Sequence, residues 1–103
     1  MTENEIITAV WQCFKKYFNP NDHKLYLFGS RATKKAMPFS DVDFIIKGPN
    51  IIVKETFYKM KYDIEGLRTL FTIDLVDYNA ANSDFQDIVQ KSMKEIKNGK
   101  IRP

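Results

Sequence analysis

At 103 residues, with 44% hydrophobic and 28% charged side chains, the chain is long enough for one hydrophobic core and too short for two. Its 4 Gly and 4 Pro argue against disorder, and a net charge of +3 is far from the dense basic stripe of a nucleic-acid binder. No apolar run approaches the roughly 18 residues that span a bilayer, the polar N-terminus is unlike a signal peptide, and a lone Cys13 excludes an intrachain disulfide and a cysteine zinc site. A cytoplasmic protein is expected, with Cys13 as a small core hydrophobe.

Thr2 and Glu5 have capping-box spacing, and Ile6, Val10, Cys13, Phe14 and Tyr17 then recur at helical intervals. This predicts a helix over 2–18, stopped by Asn19-Pro20-Asn21-Asp22. Trp11 lies off the stripe and could cover the core edge or face a partner. Residues 24–28 are short, apolar and aromatic, as in a buried strand, and Gly29 breaks them. A short helix is expected over 30–36, ending before Met37-Pro38.

A second strand is predicted over 41–47, with Val42, Phe44 and Ile46 on one face and Asp41, Asp43 and Ile45 on the other. After the turn Gly48-Pro49-Asn50, the spacing of Phe57, Met60, Ile64 and Leu67 predicts a helix over 52–67. The β-branched run Ile51-Ile52-Val53 could instead prolong a strand. Residues 70–76 form a third strand, followed by a loop over 77–82. Ser83 and Gln86 repeat the capping-box spacing, and Phe85, Ile88, Val89, Ser92, Met93 and Ile96 predict a last helix closed at Gly99, with Ile101 two residues on. The order α-β-α-β-α-β-α describes a small α/β unit of two or three layers.

Three features carry chemistry. Asp41 and Asp43 stand at i and i+2 of a strand, so both project from one face, where like charges repel unless a cation or proton intervenes. Hard divalent cations take oxygen ligands and serve phosphoryl transfer. In isolation such a pair is a weak signal and better suits a turn cap beside a lysine partner. Asp74 is a solitary charge inside the apolar run LFTIDLV, which calls for a metal, an ion pair or an edge position facing water. Asp77 lies on the opposite strand face and reads better as a loop or helix-entry residue. Gly29-Ser30 allows close backbone approach at a helix start that favours anions. Arg31, Lys34 and Lys35 follow, either to neutralise phosphates or as a solvated face.

The spacing joins these features: Gly29-Ser30, ten residues, Asp41-x-Asp43, then a later strand Asp. FGSRATKKAMPFSDVDFII followed by FTIDLVD resembles the nucleotidyltransferase superfamily that includes DNA polymerase beta, and within it the minimal nucleotidyltransferases, or MNT group. The resemblance implies a single α/β (α+β) nucleotidyltransferase domain with a mixed three- to four-stranded sheet. It implies that Gly29, Ser30 and Arg31 hold the nucleotide. Asp41, Asp43 and Asp74 would be the catalytic metal ligands, for two Mg²⁺ ions. The implied reaction is NMP transfer from an NTP, usually ATP, to a hydroxyl.

Larger relatives carry acceptor-binding domains that this sequence lacks, so an acceptor site is expected from another molecule or another copy. MNT proteins commonly pair with HEPN-domain proteins as antitoxins that can adenylylate the toxin, which implies a HEPN-type partner and a homo- or hetero-oligomer. Tyr17, Phe18, Phe39, Tyr58 and Tyr62 are candidate interface aromatics. The competing expectations are a nucleotide-binding module that masks a toxin by contact, and an antibiotic-modifying enzyme acting as a homodimer.

Overall fold

The computed structural model describes residues 1–38 and 40–103. Helix α1 (Glu3–Tyr17) opens on the expected box: Glu5 N–H donates to Thr2 Oγ1 at 3.2 Å and Thr2 N–H to Glu5 Oε1 at 2.8 Å. Two amides that no helical carbonyl can reach are thereby satisfied. Ile6, Val10 and Phe14 point into the core, and Trp11 joins them, tilted against Phe14 with 5.3 Å between ring centroids. Trp11 is thus a core residue.

The sheet contains β1 (Lys24–Phe28), β2 (Val42–Lys47), β3 (Ile73–Asp77), β4 (Lys94–Lys97) and β5 (Lys100–Ile101), in the spatial order β3-β2-β1-β4-β5. β2 and β3 are parallel, and β1 is antiparallel to both β2 and β4. A parallel pair needs a long crossover, and α2 (Lys54–Glu65) supplies it. The mixed sheet of the expected α+β nucleotidyltransferase fold is therefore present, with five strands rather than the expected three to four, because β4 and β5 occupy the segment predicted as the end of the last helix.

Alternation along β2 sorts the layers. Val42, Phe44 and Ile46 face the main core with α1, Leu25, Leu27, Met60, Ile64 and Leu75. Ile45 faces the other way, into a smaller cluster with Tyr78 and Val89, flanked by Tyr26, Phe28, Val76 and Phe85. Helix α3 (Ser83–Gln90) covers this second face. At about 1.5 Å per residue, its eight residues cannot shield the whole face, and Asp43 shares that side of β2 with Ile45.

Four boundaries depart from expectation. The helix predicted over 30–36 is a single tight turn, Gly29–Arg31, after which Lys34 takes a left-handed φ of 60° that ends it. Residues 51–53 are neither strand nor helix; Ile52 is buried while Ile51 and Val53 are exposed. β3 begins at Ile73, leaving Leu70 almost fully exposed. The last helix ends at Gln90 rather than at Gly99, and Asn82, not Ser83, caps it by accepting from Phe85 N–H. Asn98 and Gly99 have φ of 55° and 78° and join Lys97 to its partner Lys100 in a two-residue hairpin. Two positive φ values in succession are the signature of a type I′ turn, for which Asn-Gly is the favoured pair.

Of the candidate interface aromatics, Tyr58 and Tyr62 are exposed, Tyr17 is half-buried and Phe18 is buried. Phe39 lies outside the described residues.

Candidate active site

The pairing register assembles the acids. Asp43 is the direct partner of Asp74 across the parallel β2–β3 pair, and of Phe28 across β1. Asp41 immediately precedes β2. One carboxylate oxygen from each of Asp41, Asp43 and Asp74 lies within 4.8 Å of the others. Asp41 and Asp74 are exposed and Asp43 is half-buried. β3 is an edge strand, so Asp74 reaches water and the other two acids together.

None of the three acids forms an ion pair among the described residues. Burial, and then the charges of Asp74 and Asp41, push the Asp43 carboxyl up to about 6. The Arg31 charge acts the other way but does not cancel them. Three convergent oxygen donors with incompletely compensated negative charge fit a hard divalent cation such as Mg²⁺.

Gly29 stands directly against this cluster. Its φ is 75°, and a Cβ built there would lie 2.6 Å from Asp43 Oδ2. Both the conformation and the space therefore require glycine. Ser30 follows in the tight turn, where the N–H groups of Ala32 and Thr33 bend back to the Gly29 carbonyl. Lys34 and Lys35 are exposed.

Arg31 is held inside the fold. Its Nε and Nη2 donate to the Ser40 carbonyl at 3.2 and 2.8 Å, Nη2 to the Pro38 carbonyl at 3.3 Å, and Nη1 to Glu3 Oε1 at 3.4 Å. The guanidinium lies 4.8 Å from the Phe71 ring centroid. Glu3, Ser40 and Phe71 around Arg31 were not singled out from sequence, because only the folded chain brings them together.

Asp77 points elsewhere. It is buried, and its carboxylate accepts from Ile52 N–H at 2.8 Å and Asn79 N–H at 3.1 Å. Asp74 also borders a cleft of about 330 Å³ between the end of α2 and the approach to β3, lined by Lys61, Glu65, Thr69, Phe71 and Thr72. Ile64 and Ile73 also line it, so it opens on the α2 face of the sheet, whereas Asp43 shares the other face with Ile45.

The fold has solved counterparts. A chain of a toxin–antitoxin complex with AMP-PNP is 18% identical, with a TM-score of 0.64 over 91% of this chain and 72% of its own. A chain from the complex of the tri-AMPylated Shewanella oneidensis HEPN toxin with MNT antitoxin is 17% identical, with a TM-score of 0.65 over 91% and 71%. A candidate nucleotidyltransferase from Sulfolobus solfataricus is 20% identical, with a TM-score of 0.56 over 89% and 77%. Comparison with curated protein sequences gives no match. The family described as polymerase beta, nucleotidyltransferase matches residues 10–101, nearly the whole length, and the chain belongs to it.

Proposed function

We propose that the chain transfers AMP from ATP to a hydroxyl on a partner protein of HEPN type, as the antitoxin of a toxin–antitoxin pair in the cytoplasm. The observation that carries this reading is the convergence of Asp41, Asp43 and Asp74 beside Gly29. The fold neighbours support the choice of nucleotide and partner: one complex contains AMP-PNP, another an AMPylated HEPN toxin.

Asp41, Asp43 and Asp74 would hold the divalent ions. Such ions supply positive charge to phosphoryl oxygens and acidify a bound hydroxyl. Gly29 and Ser30 would receive the phosphates. The acceptor oxygen would form a bond to the α-phosphorus as the bond from that phosphorus to the bridging oxygen breaks and pyrophosphate leaves. Displacement in line needs the nucleophile and leaving group on opposite sides. Asp74, on the exposed edge strand, would face the incoming acceptor. Asp74 would then be the carboxylate nearest the hydroxyl proton.

Incubation with labelled ATP, Mg²⁺ and the co-encoded neighbour should label that neighbour. Neutralisation of the neighbour with no label on any protein would favour the contact-only antitoxin.

A further inference from the structure

Arg31 is placed to do something other than bind phosphate. Its side chain is only 9% exposed, and four hydrogen bonds direct its donors into the protein. Two of them converge on the carbonyl of Ser40, the residue before Asp41. Its guanidinium carbon lies 4.8 Å from the ring centroid of Phe71, three residues before Asp74. Its own backbone belongs to the turn that begins at Gly29. One planar group thus touches the segments leading into the first and third acids while anchored to the glycine turn. Val42 N–H, donating to the Thr72 carbonyl at 2.9 Å, closes the same junction from the other side. Glu3 braces the guanidinium from α1.

We propose that Arg31 is a positioning residue, which sets the spacing of Asp41 and Asp74 by gripping the Ser40 carbonyl and the Phe71 ring. This rests on the reading of the three acids as metal ligands. Repulsion among three carboxylates drives their segments apart, so a preformed cluster needs an internal restraint. A guanidinium suits the task because its fork takes the carbonyl with two donors while its face stacks on a ring. Lysine keeps the charge and can do neither as well, so Arg31→Lys separates geometry from charge.

The test measures Mn²⁺ affinity of the full chain by electron paramagnetic resonance and, separately, ATP affinity in EDTA. Arg31→Lys should weaken Mn²⁺ binding about tenfold or more, the usual scale for groups that orient metal ligands, with metal-free ATP affinity unchanged. Phe71→Leu carries no charge and donates no hydrogen bond; it should weaken Mn²⁺ binding in the same direction, and it carries the test if Arg31→Lys does not fold. If Arg31→Lys instead weakens ATP binding in EDTA and leaves Mn²⁺ affinity intact, Arg31 is a phosphate ligand and the inference is overturned. Unchanged Mn²⁺ affinity in both variants overturns it as well. A wild-type chain that binds no Mn²⁺ would instead remove the metal reading itself.

Discussion

Asp74 and Asp77 stand three residues apart on β3, and their surroundings differ in kind. Asp77 is buried, with one carboxylate oxygen accepting from Ile52 N–H and the other from Asn79 N–H. These charge-assisted bonds tie the approach to α2 and the turn after β3 to one end of the sheet. Asp74 is exposed, forms no ion pair among the described residues, and faces Asp43 from the neighbouring strand. One acid serves the fold, while the other adds repulsion to it. A cluster whose mutual repulsion the nearby Arg31 charge only partly offsets is where function should be sought.

The largest effect should come from removing that repulsion together with the ligands. Asp41→Asn combined with Asp43→Asn should reduce AMP transfer by about three orders of magnitude or more. The metal-free protein should melt no lower than wild type. Full transfer by the double variant would refute the metal assignment.

Single substitutions along β3 should then split the two ends. Asp74→Ala should remove transfer and leave thermal stability nearly unchanged. Asp77→Ala strands one buried and one half-buried N–H group, and should lower stability by about 1–3 kcal/mol while the folded fraction keeps its activity. The opposite pattern, checked by urea denaturation and the labelling assay, would exchange the roles assigned to the two acids.

Two glycines extend the contrast to the backbone. Gly29 and Gly99 have nearly equal φ, 75° and 78°, so Ala at either should lose about 1–2 kcal/mol of stability through conformation alone. Around Gly99 the added Cβ meets Thr8 and Trp11 no closer than 3.6 Å, whereas at Gly29 it meets Asp43 Oδ2 at 2.6 Å. Gly29→Ala should therefore also lose Mn²⁺ affinity, measured by titration, and Gly99→Ala should not. Equal Mn²⁺ affinities in the two variants would mean that Gly29 does not shape the cluster.

These differences mark where the sequence was legible. α1, β1 and β2 follow strong periodic patterns with good punctuation, and their positions were readable to within a residue. Strand parity made Asp41 and Asp43 readable as one pair; that Asp74 joins them followed from the family resemblance, since no spacing pairs β3 with β2. Asp77 was readable as a turn residue from the same parity. The C-terminal segment was misjudged because apolar residues from Phe85 to Ile96 fit a helical stripe, although β4 uses Ile96 with strand alternation. The Asn98-Gly99 hairpin signal was present but also fits a helix end; only pairing with β1 decides it. The setting of Arg31 was not readable, since Glu3, Ser40 and Phe71 meet only after folding.

The smallest effect is a pH dependence at the Asp43 end of β2–β3. The Asp43 carboxyl is raised to about 6 by burial and by its two acidic neighbours, while an unfolded aspartate titrates near about 3.9. The folded state therefore holds this proton more tightly. Its contribution to stability is fully present below about pH 4 and is lost as pH rises through about 6. Without metal, the melting temperature of wild type relative to Asp43→Asn should rise on acidification from pH 7 to 5. The change should be on the order of 1 kcal/mol once partial exposure is discounted. With Mg²⁺ the sign reverses, because the ion needs the carboxylate and its stabilising effect should fade below about pH 6. Parallel melting curves for wild type and Asp43→Asn from pH 5 to 7 would show that Asp43 carries no repulsion, and with it would go the contrast between the two ends.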